Sequence, residues 1–317
     1  MKSVILGKIG RQTSVIGYGC AGLMRPNSER ERHALLHAAF DSGIRHFDIA
    51  RYYGHGGAEG VLGKFLSAEN RREQVTVTTK FGIDPSPIGG SSIGKTLVNH
   101  ARRISAAQPR LRKWLSGVAS QGVRSNRFDP RTASLSLETS LRELRTECID
   151  VFLLHEATLE DTATDGLLDF LIEARDNGKI RGFGLGSRYA DTAEIISARP
   201  AFASIVQIAN GLGEWNLREL PPDPERFVIA HGALKILPQL SATTQGAKSV
   251  NDSKLAGRLL GLALSENPCG ITLFSSTHPD RVRDNVRNAL EAASFSSADW
   301  VAFRADIEKR LAGTDVR

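Results

Sequence analysis

Short runs of β-branched and apolar residues alternate with longer stretches of helical periodicity along the whole 317-residue chain, and that alternation leaves few folds open to it. Ser14–Tyr18, Ile44–Asp48, Val75–Phe81, Ile149–His155, Ile180–Leu185, Ala203–Ile208, Phe227–Ala230 and Gly270–Phe274 read as strands. Between or after them, ERERHALLHAAFDSG, AEGVLGKFL, SLETSLREL, TDGLLDFLIEARDNG, SKLAGRLLGLALSEN and DRVRDNVRNALEAA read as amphipathic helices. Several open at Ser, Thr or Asp, which cap the free N–H groups of a helix start, and two run into Gly43 and Gly178, where a left-handed glycine ends a helix. Strand, helix and strand in steady succession make the strands parallel, because each crossover returns the chain to the same end of the sheet. Eight such strands without a break in composition predict a single-domain α/β fold, a closed (β/α)8 TIM barrel. A doubly wound open sheet is the structural alternative.

Composition narrows the setting. Hydrophobic residues make up 41% and charged residues 24%, an ordinary globular mixture in a chain long enough to bury a large core without disulfides. The three cysteines, Cys20, Cys148 and Cys269, lie far apart with no CxxC spacing, which argues for a reducing compartment and against a zinc site. The opening MKSVILGKIGRQ lacks the apolar core of a signal peptide, and no run is apolar over the length of a bilayer. A cytoplasmic protein with no membrane partner is expected.

Polar side chains mark the ends of the predicted strands. Asp48 closes IRHFD, Lys80 stands near the end of VTVTTKF, His155 closes IDVFLLH and Gln207 lies near the end of ASIVQI. The C-terminal strand ends of a barrel form one face, so a carboxylate, an ammonium and an imidazole delivered there converge on one pocket. Taken singly, an Asp after a strand is often a helix cap, and a His at a strand end is more often structural than catalytic. Three such residues on three strand ends are harder to explain as coincidence.

These residues resemble the aldo-keto reductase family. HFDIARYYGHGGAEGVLGKFL is similar to its Asp-plus-Tyr signature, with Asp48 and Tyr53 five apart and Gly54, Glu59 and Gly63 following. TTKFG matches the family lysine with Lys80, and IDVFLLH the family histidine with His155. SLETSLREL, IRGFGLGS, IVQIAN and SSTHPDRVRDNV follow in the family's order, so the resemblance covers the chain except for residues 83–131. It implies an NAD(P)(H)-dependent oxidoreductase acting on a carbonyl or alcohol, with Asp48, Tyr53, Lys80 and His155 as the reacting centre. Reducing a carbonyl builds negative charge on oxygen, which needs a proton donor and hydrogen-bond donors. Tyr53 is expected to be that acid, with Lys80 lowering its pKa, Asp48 holding Lys80, and His155 donating to the carbonyl.

The resemblance also implies cofactor positions. Gly19 and Cys20 bring backbone close to the cofactor. Gly186, Ser187 and Gln207 hold the nicotinamide carboxamide, although family members commonly carry Ser-Asn where this chain has Gly186-Ser187. His231 stands where an aromatic ring usually stacks on the nicotinamide; the alternative is a histidine facing solvent. Ser275, Ser276, Thr277, Arg281, Asp284 and Asn285 bind the adenosine end, at a helix N-terminus suited to phosphate. Arg281 can meet a 2′-phosphate, so NADP is expected, while Ser275 replaces the lysine that many NADPH-preferring members carry, which leaves NAD possible.

One segment stays outside this pattern. The net charge is +6, yet residues 83–131 hold nine Lys/Arg against two Asp, leaving 32 basic and 33 acidic residues in the rest. This basic insertion after the third barrel strand, with possible short helices at Ile93–Ile104 and Arg110–Val118, is either a substrate lid that attracts an acidic or phosphorylated substrate or a solvated excursion. Its Arg residues lack the interleaved aromatics of a single-strand binder, with Trp114 as the candidate for stacking on a base, so no nucleic-acid partner is expected. The chain ends soon after the last predicted helix, so the long C-terminal loop of many family members is expected to be absent. Three functions stay open: a carbonyl reductase, an aldose 1-dehydrogenase running in the oxidative direction, which the glycines around Leu185 resemble, or a non-catalytic cofactor-binding subunit, against which the complete Asp, Tyr, Lys and His set speaks.

Overall fold

Alternate residues of a strand point to opposite faces, so each strand of a closed barrel must suit an interior and a helix-covered exterior at once. In the computed structural model, which describes residues 1–85, 128–212, 214–243 and 250–312, eight parallel strands close into such a barrel. They are β1 (Ile16–Gly19), β2 (His46–Asp48), β3 (Thr76–Phe81), β4 (Ile149–His155), β5 (Ile180–Gly186), β6 (Ile205–Ala209), β7 (Phe227–His231) and β8 (Ile271–Phe274). Each pairs with its neighbour in chain order, and β8 closes on β1 through Thr272↔Ile16 and Phe274↔Tyr18. Helices α1 (Glu29–Asp41), α2 (Ala58–Ser67), α3 (Pro130–Leu144), α4 (Leu167–Asp176), α5 (Tyr189–Ala198), α6 (Leu237–Thr243), α7 (Val250–Glu266), α8 (Pro279–Ala292) and α9 (Ser297–Ala312) accompany them.

The alternation produces two separate cores. Tyr18, Phe47, Val77, Phe152, Leu154 and Val206 face outward and pack against helix residues such as Leu36, Phe65, Leu137 and Val286. Val151, Leu153, Ile205, Phe227, Ile229, Ile271 and Leu273 face inward around Leu6. Leu6 and Ile9 come from the N-terminal hairpin, whose strands Ser3–Ile5 and Gln12–Ser14 pair antiparallel beneath the barrel. The predicted first strand is corrected here: Ser14 pairs back with Ser3, and the barrel strand starts at Ile16.

The rest of the interior is polar or small. His46 of β2 is fully buried, with Nδ1 2.9 Å from Thr76 Oγ1 and Nε2 3.3 Å from Thr78 Oγ1. Burial pushes its pKa down to about 4, although the nearby Asp48 and Asp150 pull the other way. On β5, Gly182 and Gly184 lie against β6: a Cβ at Gly184 would stand 1.9 Å from the Ile205 carbonyl oxygen, and one at Gly182 2.9 Å from Ile9.

Helix ends follow local chemistry. The Ser28 hydroxyl accepts from Glu31 N–H, and the Glu31 carboxylate accepts from Ser28 N–H, a reciprocal cap on α1. Gly43 and Gly178 adopt the expected left-handed conformation, with φ of 88° and 74°. Asp129 accepts from Thr132 N–H and Pro130 takes the first turn of α3, so the last two residues of the 83–131 segment belong to a helix. The remainder of that segment from 86 to 127, including the two short helices expected there, lies outside the described residues. Helix α9 went unread in the sequence, although Ser296 and Asp299 cap its start reciprocally. Among the described residues no helix is long and apolar enough to cross a membrane.

Replacing Gly184 with Ala should lower the urea unfolding midpoint by the equivalent of about 2–3 kcal/mol, since a backbone carbonyl cannot give way as a flexible side chain does. Because the folded state holds His46 neutral, the unfolded chain takes up more protons between pH 6.5 and about 4. The stability this histidine contributes is therefore complete above pH 6.5 and is lost as pH falls toward 4. His46→Asn should flatten the acid limb of stability against pH by up to about 1.4 kcal/mol per pH unit.

Candidate active site

All eight barrel strands deliver a residue to one cavity of about 350 Å3 at the C-terminal mouth. Gly19 ends β1, Asp48 ends β2, Lys80 is the penultimate residue of β3, His155 ends β4, Gly186 ends β5, Gln207 lies midway along β6, His231 ends β7 and Ser275 follows β8. Each lines that cavity, and so does Tyr53.

Lys80 sits at the centre, nearly fully buried. Its Nζ donates to both oxygens of Asp48, at 2.7 and 2.8 Å, and to the Ile49 carbonyl at 3.0 Å. Tyr53 Oη lies 3.5 Å from the same ammonium. Burial pulls the lysine pKa down, but the Asp48 carboxylate and the phenol outweigh it and hold the pKa above the ordinary value. At Tyr53 the expected influence of Lys80 meets a larger opposing one. Burial raises its pKa, and the Lys80 ammonium opposes that rise without reversing it, so the phenol carries its proton near neutral pH. The His155 ring meets the Tyr53 ring edge to face with centroids 6.2 Å apart. Burial, reinforced by the Lys80 charge, lowers the His155 pKa to about 3, which keeps the imidazole neutral.

Tyr53 stands on a turn, so its place depends on what pins that turn. Tyr53 N–H donates to the Ala50 carbonyl, and Gly54 and His55 both take the left-handed conformation. A Cβ at Gly54 would lie 2.1 Å from Met24 Cγ, so only glycine lets the turn close onto the loop after β1. Glu59, fully buried on α2, accepts from Arg51 at 2.9 Å, Thr79 at 2.7 Å and Ser140 at 2.7 Å, tying the turn to β3 and α3. At Gly63 a Cβ would stand 2.1 Å from the Glu143 carbonyl, so α2 and α3 touch there. These are the positions that the sequence offered only as parts of a motif.

The expected cofactor residues fall into two groups. Gly19, Gly186, Ser187, Gln207, His231 and Ser275 line the mouth cavity. Cys20 is fully buried, with its thiol toward the Tyr18 carbonyl, and Ala21 rather than Cys20 reaches the cavity. Ser275 Oγ donates to the Gly19 carbonyl at 2.6 Å. Ser187 Oγ is buried without a hydrogen-bond partner, as is His155 Nδ1. Gln207 is engaged differently from expectation: its amide Nε2 donates to Asp48 Oδ2 at 2.6 Å. Burial lowers the His231 pKa to about 4.

Ser276, Thr277, Arg281, Asp284 and Asn285 do not line that cavity but gather around the start of α8. Tyr18 Oη donates to the Ser276 carbonyl at 2.7 Å, and Thr277 faces Gly22. Arg281 is exposed on the first turn, Asp284 accepts from Arg287, and Asn285 is buried. Sequence reading missed Leu234 and Lys235 as lining residues, because they sit beyond a strand end; Lys235 pairs with Glu214 at 2.9 Å. Glu156 also lines the cavity, in a left-handed conformation with φ of 59°.

A phenol, an ammonium and a carboxylate in contact can move a proton to or from a ligand oxygen, with a neutral imidazole across from the phenol to orient it. The model of the Aldo/keto reductase family matches residues 15–219. A D-threo-aldose 1-dehydrogenase from a Pseudomonas species is 31% identical over 223 residues, 68% of this chain and 61% of that protein. The NADP(+) aldo-keto reductase yakc of Schizosaccharomyces pombe is 28% identical over 60% of this chain and 47% of its own length, so the matched region spans about half to three-fifths of these relatives. Among solved structures, an aldo-keto reductase of Bacillus halodurans in its holo form superposes with a TM-score of 0.69 at 18% identity, covering 98% of this chain and 96% of that one. The glycerol dehydrogenase of Gluconobacter oxydans gives 0.68 at 17% identity, covering 97% and 95%. At these identities the two structures speak for the fold, while the family model covers well over half of the sequence. The chain belongs to the aldo/keto reductase family.

Proposed function

We propose that the protein is an NAD(P)(H)-dependent oxidoreductase that interconverts a carbonyl and an alcohol, with Tyr53 as the general acid and base. The observation that carries this reading is the placement of the Lys80 ammonium between the Asp48 carboxylate and the Tyr53 hydroxyl, beneath a cavity that His155 also lines. The residues fit a nicotinamide. The buried, unpartnered Ser187 hydroxyl and the Gln207 amide would hold its carboxamide, and His231 would lie against its ring. Gly19, whose Cβ would come within 2.7 Å of Ser275 Oγ, gives the close backbone approach. Such a cofactor supplies hydride to the carbonyl carbon in reduction and takes it back in oxidation.

The remaining steps belong to the chain's own groups. Tyr53, kept protonated by burial, gives its proton to the carbonyl oxygen as charge builds there. Lys80 stabilises the phenolate left behind, and Asp48 keeps Lys80 charged and aimed. His155, held neutral, donates a ring N–H to the same oxygen and does not compete for the proton. In reverse, the phenolate takes the proton from an alcohol. Exposed Arg281 on the first turn of α8 supports a 2′-phosphate and hence NADP, in keeping with the NADP(+) in the name of the yeast relative, with NAD as the alternative. The likeness to a D-threo-aldose 1-dehydrogenase, together with a lining that includes Glu156 and Lys235, supports aldose oxidation as the second reading. The three free, widely spaced cysteines support a cytoplasmic setting.

A spectrophotometric screen of both reduced and both oxidised cofactors against aldehydes, ketones, alcohols and aldoses tests this reading. Tyr53→Phe should lose about a thousandfold in turnover while binding cofactor as the parent does; equal turnover in that variant would exclude Tyr53 as the proton donor. Lys80→Met should lose about a hundredfold or more in kcat, because the phenolate is then left without its countercharge in a buried site. Unchanged kcat in that variant would remove Lys80 from the mechanism.

A further inference from the structure

The bond between Gln207 and Asp48 crosses the barrel. β2 and β6 are four strands apart in either direction, yet Gln207 Nε2 reaches Asp48 Oδ2 at 2.6 Å. Both residues are buried, at 5% and 4% exposure, so water has little access to either partner. A carboxylate only accepts hydrogen bonds, so the amide atom facing it must be the nitrogen. Turning the amide over would set two oxygens against each other at that distance in a dry site. The charge of Asp48 therefore decides which end of the Gln207 amide faces elsewhere.

That other end is the oxygen. Oε1 lies 3.5 Å from where a Cβ on Gly186 would stand, beside the next residue, Ser187, whose buried hydroxyl has no partner. An acceptor and a donor thus stand together at the end of β5. A primary carboxamide carries the complementary pair, an N–H donor and a carbonyl acceptor. A methyl ketone or a carboxylate offers acceptors alone, and would leave the Gln207 oxygen facing another oxygen or a methyl group.

We propose that Asp48 has a second role besides holding Lys80: it locks the Gln207 amide with its oxygen toward the nicotinamide site, and so makes the protein select a carboxamide headgroup. Asp48 acts here as a positioning residue, through Gln207. This inference rests on the nicotinamide reading given above.

The test is equilibrium binding by titration calorimetry, without turnover, of oxidised dinucleotides that carry a carboxamide, a 3-acetyl or a 3-carboxylate group on the pyridine. The parent protein should prefer the carboxamide over the acetyl form by about tenfold, the worth of one satisfied buried hydrogen bond. In Asp48→Asn the side chain facing Gln207 can donate or accept, so the amide is free to turn and the preference should fall to about twofold or less. Gln207→Met removes the acceptor and should give the same collapse, and the double variant should lose nothing further. A merely structural role for Asp48 would weaken all three ligands alike and leave their ratio unchanged. An unchanged ratio in Asp48→Asn, or a Gln207→Met variant that keeps the tenfold preference if Asp48→Asn does not fold, overturns the inference alone. Failure of the parent to bind any of the dinucleotides overturns the inference together with the nicotinamide reading.

Discussion

A buried lysine can keep its charge only if something nearby carries the opposite one, and in this barrel that something is Asp48. The ion pair is almost completely removed from water, with the two side chains 2% and 5% exposed. Desolvating such a pair costs about as much as the pairing returns, so its presence is weak evidence of a contribution to stability. Its consequences are local and chemical. The Lys80 ammonium spends its donors on the two Asp48 oxygens and the Ile49 carbonyl, and only then meets the Tyr53 hydroxyl at 3.5 Å. The remaining lone pairs of the carboxylate draw in Gln207 from across the barrel. Proton donor, countercharge and amide are thus arranged by one pair of charges.

The interior below is divided to suit that pair. On the side of β1 to β3 the inward residues are glycine, histidine and threonine, with His46 bonded between Thr76 and Thr78 under Asp48 and Lys80. On the side of β4 to β8 the inward residues are largely aliphatic and close around Leu6 from the hairpin. The polar half lies beneath the carboxylate and ammonium with its own groups bonded to one another, and the apolar half supplies the packing that holds the strands in register. The glycine-bearing face of β5 lets β6 approach closely, and β6 is the strand that carries Gln207.

Much of this was legible in the residues alone, for identifiable reasons. Strand positions could be read because apolar runs end abruptly in polar residues, and Asp48 and His155 are such endings. Tyr53 sits on a turn whose shape no periodicity reveals, and only its spacing from Asp48 within a motif pointed to it. The motif glycines Gly54 and Gly63 acquire their reasons from contacts with Met24 and Glu143, which are distant in sequence. Ser14 suits a hairpin as well as a barrel strand, which hides the start of β1 two residues on, and α9 has a weak apolar stripe and a cap built from the common pair Ser296 and Asp299. The lowering influence of Lys80 on the Tyr53 pKa can be inferred from sequence, whereas the burial that outweighs it cannot.

The alternation of strand and helix, the class of barrel that follows from it, and the identity of the charged residues at the strand ends depend on local periodicity and residue chemistry, and so can be read from the chain. Which of those residues touch follows from the closure of the barrel. The Gln207 bond to Asp48, the neutral state of His155 and the raised pKa of Tyr53 all arise from groups far apart in the chain that barrel closure brings together in a space with little water. Electrostatic effects of that kind depend on distance and burial, and neither exists until the chain has folded.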